Sequence, residues 1–252
     1  HGLVMAADSR TNAGVDYVST YRKMFDFSVP GDRTLLLCTS GNLSITQAAI
    51  ASLEQDLRAE DLKSLHSHHS MYDIACYIGD KLRQIQAQER EWLQKDRIDA
   101  SCNILLGGQL RGQPTELYLL YSQGNFIKAM PETPFLQIGE IKYGRPILDR
   151  TLTYQTSIED AAKCAILSFD STMKSNVSVG PPIDLVMYRA DSLEIRHQLT
   201  LRGGDPYLLQ VRREWESFLK TAFDRMPPID WERSTETELQ LESIEFSDFL
   251  NQ

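Results

Sequence analysis

A chain of 252 residues with 42% hydrophobic and 24% charged residues has ordinary globular proportions, which excludes a disordered or fibrous chain. Its net charge of −9 and pI near 5.1 argue against a nucleic-acid partner, because phosphate binding needs Lys and Arg massed on one face. No apolar run approaches the roughly 20 residues that cross a bilayer, so no membrane partner is expected.

In chain order, Gly2-Leu3-Val4-Met5-Ala6-Ala7 is a short apolar run that stops at Asp8-Ser9-Arg10, which predicts a buried strand entering a turn. Residues 15–27 alternate loosely, as strands do, and Pro30-Gly31-Asp32 is a turn. Residues 34–39 form a second continuous apolar strand, closed by Ser40-Gly41-Asn42. Ser44 then predicts a helix N-cap, with Ile45, Ala48, Ala49 and Leu53 on one face. A long helix is predicted over 71–96, where Ile74, Ile78, Leu82 and Ile85 recur at three- and four-residue steps. Four strand-like runs follow at 102–106, 116–121, 125–130 and 135–138, with Gly107-Gly108 and Arg111-Gly112 as turn signals between the first two. Residues 158–173 are again helical, with Ala161, Ala162, Ala165, Ile166 and Phe169 inward. Pro181-Pro182 separates that helix from strands over 184–188 and 195–201, and a last helix over 207–223 ends before Pro227-Pro228.

Grouped strands and grouped helices point to antiparallel sheets covered by helices rather than βαβ units. The expected fold is α+β, a four-layer αββα sandwich in a single domain over residues 1–228. Residues 229–252 form an acidic tail, either solvated or packing Leu239, Leu241, Ile244, Phe246 and Leu250 on a neighbouring subunit.

Cys38, Cys76, Cys102 and Cys164 are isolated within apolar stretches and read as buried, reduced thiols, which fits a cytoplasmic location. No metal or cofactor is expected. His66-Ser67-His68-His69 lacks the Cys or carboxylate that would complete a ligand spacing, and reads as a solvated loop. Gly203-Gly204-Asp205 lacks the Lys and Ser/Thr of a P-loop and reads as a turn.

The beginning of the chain carries the chemistry. Asp8 and Arg10 stand at the mouth of a buried strand, where an unpaired charge is expensive. Lys23 ends the next strand-like segment. An Asp and a Lys on adjacent strands form either a structural ion pair or a pair tuned for proton transfer, and spacing alone favours the structural pair.

Ala7-Asp8-Ser9-Arg10 with Ala13-Gly14, then Arg22-Lys23-Met24, then Thr39-Ser40-Gly41-Asn42 with Gln47 opening a helix, resembles the proteasome β-subunit pattern. The longer run Asp8-Ser9-Arg10-Thr11-Asn12-Ala13-Gly14-Val15-Asp16, followed by Arg22-Lys23-Met24 and Ser40-Gly41-Asn42-Leu43-Ser44, is similar to one bacterial branch of proteasome-type proteases, Anbu or ancestral beta subunit. The likeness extends from Gly2 through the last helix. It implies an N-terminal-nucleophile hydrolase of the sandwich fold, a threonine peptidase acting on peptide or unfolded-protein substrates inside a homo-oligomeric ring or helical washer.

In that family a threonine hydroxyl attacks the peptide carbonyl, and its own α-amine, with a pKa of about 8, serves as base. On matching positions Lys23 lies beside the hydroxyl and lowers its pKa, and Asp8 holds Lys23 charged. Gly41 offers the backbone N–H that stabilises the oxyanion. Asn12 pairs its backbone with an extended substrate, and Ser175 lies near the nucleophile's amine. The resemblance sets the threonine upstream of His1 by about one strand length, about five or six residues or more. Glu140 stands where the family carries a serine that assists the amine. Thr172 stands where an Asp precedes the other serine, with Asp170 close by. The alternatives are a non-catalytic scaffold subunit and an amidase of the same class acting on a small amide.

Overall fold

The computed structural model describes residues 1–12, 18–59, 63–229 and 231. Three strands precede the first long one: β1 (Gly2–Asp8), β2 (Arg10–Asn12) and β3 (Val18–Thr20). Then come β4 (Met24–Asp26), β5 (Arg33–Gly41), α1 (Leu43–Arg58), α2 (Met71–Lys95), β6 (Cys102–Leu110), β7 (Glu116–Leu120) and β8 (Phe126–Lys128). The last elements are α3 (Arg145–Thr151), α4 (Ile158–Ser175), β9 (Ile183–Arg189), β10 (His197–Leu201) and α5 (Pro206–Asp224). The chain divides into a large unit, His1–Arg212, and a small one, Arg213–Gln252, with the boundary inside α5.

The large unit holds a five-stranded sheet in the order β4-β5-β6-β7-β8, a three-stranded sheet β1-β9-β10, and the pair β2-β3, all antiparallel. The two-residue period of a strand sorts the apolar side chains between cores. Leu35 and Leu37 of β5 join Ile45, Ala49 and Leu53 of α1 and Ile74, Ile78 and Leu82 of α2. Their neighbours Leu36 and Cys38 turn the other way and meet Leu3, Met5 and Ala7 of β1. Val4 and Ala6, on the opposite face of β1, pack with Ile166 of α4 and with Ile183 and Leu185 of β9. Helices α1 and α2 thus lie on one face of the five-stranded sheet, β1 approaches its other face, and α4 lies against β1 and β9. The fold is mixed α+β.

Four details differ from expectation, each for a local reason. The N-cap of α1 is Asn42, not Ser44, because the Asn42 carboxamide oxygen accepts the N–H groups of Ser44 (3.0 Å) and Ile45 (3.3 Å). Gly107 and Gly108 lie inside β6 and make no turn. A side chain at Gly107 would meet Leu3 and Met5, and one at Gly108 would run into the Thr34 backbone, so both are close-approach glycines. Residues 135–138 form no strand; Leu136 and Ile138 are accommodated by packing on the core between the sheets. The loose run 15–27 yields two short strands, β3 and β4, and its residues 15–17 lie outside those described.

All four cysteines are free, with Cys38, Cys102 and Cys164 buried. Among the described residues no helix is long and apolar enough to cross a membrane. Leu239, Leu241, Ile244, Phe246 and Leu250 of the acidic tail lie outside the described residues.

Candidate active site

Strand β1 pairs with β9 from Gly2↔Arg189 to Asp8↔Ile183 and stands at one end of its sheet. Every residue from Gly2 to Asp8 also lines a cleft of about 650 Å³. Asp8 closes the strand at the floor of this cleft and is 8% exposed. A carboxylate so sheltered needs partners, and it has three. Its Oδ1 accepts from Lys23 Nζ at 2.7 Å. Its Oδ2 accepts the backbone N–H groups of Arg10 and Gly180, each at 3.1 Å.

Lys23 arrives from the sheet opposite. It precedes β4, and its carbonyl accepts the N–H of Thr39 in β5 at 2.9 Å. Alternate residues of an antiparallel strand turn their N–H groups to the same neighbour. Two residues beyond Thr39, Gly41 therefore directs its N–H to the edge that Lys23 occupies. Gly41 has φ of 97°, and a side chain there would overlap the Ser101 carbonyl and sit 2.8 Å from Cys102 Cα, so this corner admits glycine alone. Asp8, Lys23 and Gly41, three residues singled out in the sequence, all line the one cleft.

Arg10 locks the opposite wall. Its guanidinium donates to the carbonyls of Val177 (2.9 Å) and Val179 (3.5 Å). It also fills the space a side chain at Gly180 would need. The segment after α4 is thereby fastened beside Asp8.

Ser175 is not brought into the site. It is the last residue of α4, exposed, and off the cleft lining, because Asn176 caps the helix and the chain turns only afterwards. After α4 the serine that reaches the lining is Ser178, whose hydroxyl donates to Asn176 Oδ1 at 2.6 Å. Asn176, a residue that stops helices, was the available signal that Ser175 ends one. Asn12 has its backbone in the β2-β3 pair opposite Val18, and its neighbour Thr11 is on the cleft wall.

Glu140 reaches the cleft with both oxygens engaged, Oε2 with Asn176 Nδ2 and Oε1 with the Lys142 N–H, each at 2.8 Å. Thr172 is buried and returns its hydroxyl to the Ser168 carbonyl at 2.8 Å, while Asp170 accepts from Arg212 Nε at 2.8 Å. Cys38 also lines the cleft, but burial, assisted by the negative Asp184, pushes its thiol up to about 12, so it stays protonated and is no nucleophile at neutral pH.

The imidazoles after α1 have separate surroundings. His66 Nε2 lies 2.9 Å from the Phe27 carbonyl, and the His68 ring is 5.0 Å from that of Tyr77. Among the described residues no group of three His, Cys, Asp or Glu is placed to hold a metal ion. Asp205 accepts the Tyr207 N–H at 2.9 Å, so a carboxylate already occupies the start of α5.

A sheltered ammonium held by a carboxylate, with a backbone N–H turned to the same edge, lowers the pKa of a neighbouring hydroxyl and steadies a developing oxyanion. A mixed α+β fold with this pair at the end of an edge strand is what a proteasome-like subunit is expected to present. Solved structures give the family. The chain is 44% identical to a subunit of the structure described as the helical assembly of the Anbu complex from Pseudomonas aeruginosa, over 92% of this chain and 95% of that one, with a TM-score of 0.86. It is 41% identical to Anbu (ancestral beta-subunit) from Yersinia bercovieri, over 91% and 95%, with a TM-score of 0.83. It is 38% identical to Anbu from Hyphomicrobium sp. strain MC1, over 90% and 94%, also at 0.83. The chain belongs to the Anbu family. No protein-family model matches it, and no curated protein does.

Proposed function

We propose that this chain is a threonine-type peptidase subunit that hydrolyses peptide bonds with an N-terminal nucleophile, inside an assembly of identical copies. The observation that carries the reading is the Lys23–Asp8 pair, 2.7 Å apart, at the floor of the cleft along β1. A threonine carried by chain upstream of His1 and folded back along β1 would bring its hydroxyl to Lys23. Lys23 stabilises the alkoxide as the α-amine removes the proton. Asp8 fixes the ammonium, and the Gly41 N–H receives the charge on the tetrahedral oxygen. The backbone of Asn12 offers an extended substrate a strand to pair with. In this reading Ser178 takes the place first assigned to Ser175 as the serine beside the amine.

The three packed cores support the four-layer αββα sandwich that this chemistry uses elsewhere in the class. A relative is described as a helical assembly. The same self-association, closed as a ring or left open as a helical washer, would enclose the sites here. The four free thiols fit a reducing cytoplasm.

The test is intact mass spectrometry of the full-length protein with and without an electrophile that traps N-terminal threonine. The expected result is a chain beginning at Thr that gains one adduct, and Lys23→Ala that gains none while keeping its sedimentation coefficient. An adduct formed equally fast by Lys23→Ala would remove the mechanism. A scaffold subunit is the second reading. Glu140 favours it, because both its oxygens are tied to Asn176 and Lys142 rather than presented to an amine. That reading expects no adduct on an intact assembly.

A further inference from the structure

Just after α4 the chain carries a string of hydrogen bonds whose direction is fixed by the atoms in it. The Ser178 backbone N–H, which only donates, meets Asn176 Oδ1 at 2.8 Å. That contact settles which way the Asn176 carboxamide faces and leaves its Nδ2 to donate to Glu140 Oε2 at 2.8 Å. The other Glu140 oxygen accepts the Lys142 N–H at 2.8 Å, so the string is anchored at its far end. Asn176 Oδ1 carries no hydrogen, so its 2.6 Å contact with Ser178 Oγ takes the one hydrogen the hydroxyl has. Ser178 Oγ is left with lone pairs: it accepts and does not donate further.

Ser178 is half-buried on the cleft lining. It stands between the Val177 and Val179 carbonyls that Arg10 holds, and two residues before the Gly180 N–H on Asp8. The segment is thus tied to β2 and β1 on one side and to Glu140 on the other.

Resting on the peptidase reading, we infer that Asn176, anchored by Glu140, is a positioning residue for the nucleophile's base. It makes Ser178 an acceptor only, so that Ser178 takes an N–H of the threonine α-amine and leaves the amine lone pair free. The hydroxyl proton then passes to the amine nitrogen while the threonine oxygen bonds to the carbonyl carbon. A serine hydroxyl free to turn would donate to that lone pair and block it. The two arrangements differ in sign, because an acceptor beside the amine favours the ammonium and a donor favours the neutral form.

The test is the rate of covalent trapping by a peptide vinyl sulfone, read as adduct mass on the full-length protein from about pH 5 to 10, the range that spans an α-amine. Ser178→Ala removes the acceptor, so the midpoint of its profile is expected to fall below the parent's. Asn176→Ala frees the hydroxyl to donate, and its midpoint should fall further, by about one pH unit, with a limiting rate about tenfold lower, the worth of one hydrogen bond. Asn176→Asp still offers the hydroxyl an acceptor, so its midpoint should not fall. In a Ser178→Ala background, Asn176→Ala should move the midpoint no further, since it acts through that hydroxyl. Asp8, Arg10, Lys23 and Glu140, the charged groups on the cleft lining, and its titratable His1, Cys38 and Tyr154 are the same in every variant. A purely structural role would slow trapping at every pH and leave the midpoint in place. An unmoved midpoint in Ser178→Ala or Asn176→Ala, or an equal fall in Asn176→Asp, overturns the assignment while the parent's adduct upholds the peptidase reading. A parent that forms no adduct at any pH overturns the peptidase reading and the role of Asn176 with it.

Discussion

Asp8 uses both carboxylate oxygens, and two of its three partners are backbone N–H groups, so its position is set by the chain path more than by side-chain choice. The Gly180 N–H donates to Asp8, and Arg10 lies where a Gly180 side chain would be. Gly180→Ala must push the guanidinium off the Val177 and Val179 carbonyls and carry the 178–180 segment with it. The expected outcome is a fall of about 10- to 100-fold in the electrophile-trapping rate, the scale on which small misplacements act. The far-UV circular dichroism should match the parent, and an unchanged rate would show that Arg10 and Gly180 have no positioning role. Asp8 and Lys23 were legible in the sequence because a charge beside an apolar strand demands an explanation. Ser178 was not, since a helix that ends three residues earlier decides which serine faces the cleft.

Helices α1 and α2 are joined by a polar contact as well as by their apolar faces. Asp56 of α1 pairs with Lys81 of α2 at 2.5 Å and accepts the Tyr77 hydroxyl. Burial by itself would raise the Asp56 pKa, but the Lys81 and Tyr77 hydrogen bonds outweigh it and hold the carboxyl below its ordinary value of 3.8. A folded-state pKa below the unfolded one adds stability above the unfolded value, and that stability is lost as pH falls through the folded value. Asp56→Asn should therefore lower the melting temperature at pH 7 and flatten the acid limb below about pH 4, bringing variant and parent together there. Parallel melting curves at every pH would contradict this role.

Deeper in the same layer, Ile78 is fully buried in the core between the helices and the five-stranded sheet, where α2 meets β6 and β7. Ile78→Ala is expected to lose about 2–5 kcal/mol in chemical denaturation, and a loss under 1 kcal/mol would mean the site collapses around the gap. The α2 span was readable because its apolar residues from Met71 to Ile85 keep a helical period for about four turns. Residues 135–138 misled, because an apolar run bordered by turn residues looks the same whether it joins a ladder or only packs.

At the scale of the molecule, the acidic tail is the segment whose apolar residues the proposed assembly can be tested on. Leu241, Ile244 and Phe246 interrupt an otherwise acidic tail. Replacing all three by Asp should shift the sedimentation profile to smaller species, while the melting transition of the large unit stays in place. An unchanged profile would exclude the tail from subunit contacts.

By itself the sequence determined the α+β class, the long helices, the strand β1 with its charged end, and the family, because hydrophobic period and local motif are short-range properties. It could not decide that Gly107 seats one sheet on another, or that Ser178 rather than Ser175 meets the cleft. Those outcomes depend on which backbones approach within a few ångströms, and only the closing of the two sheets sets that distance.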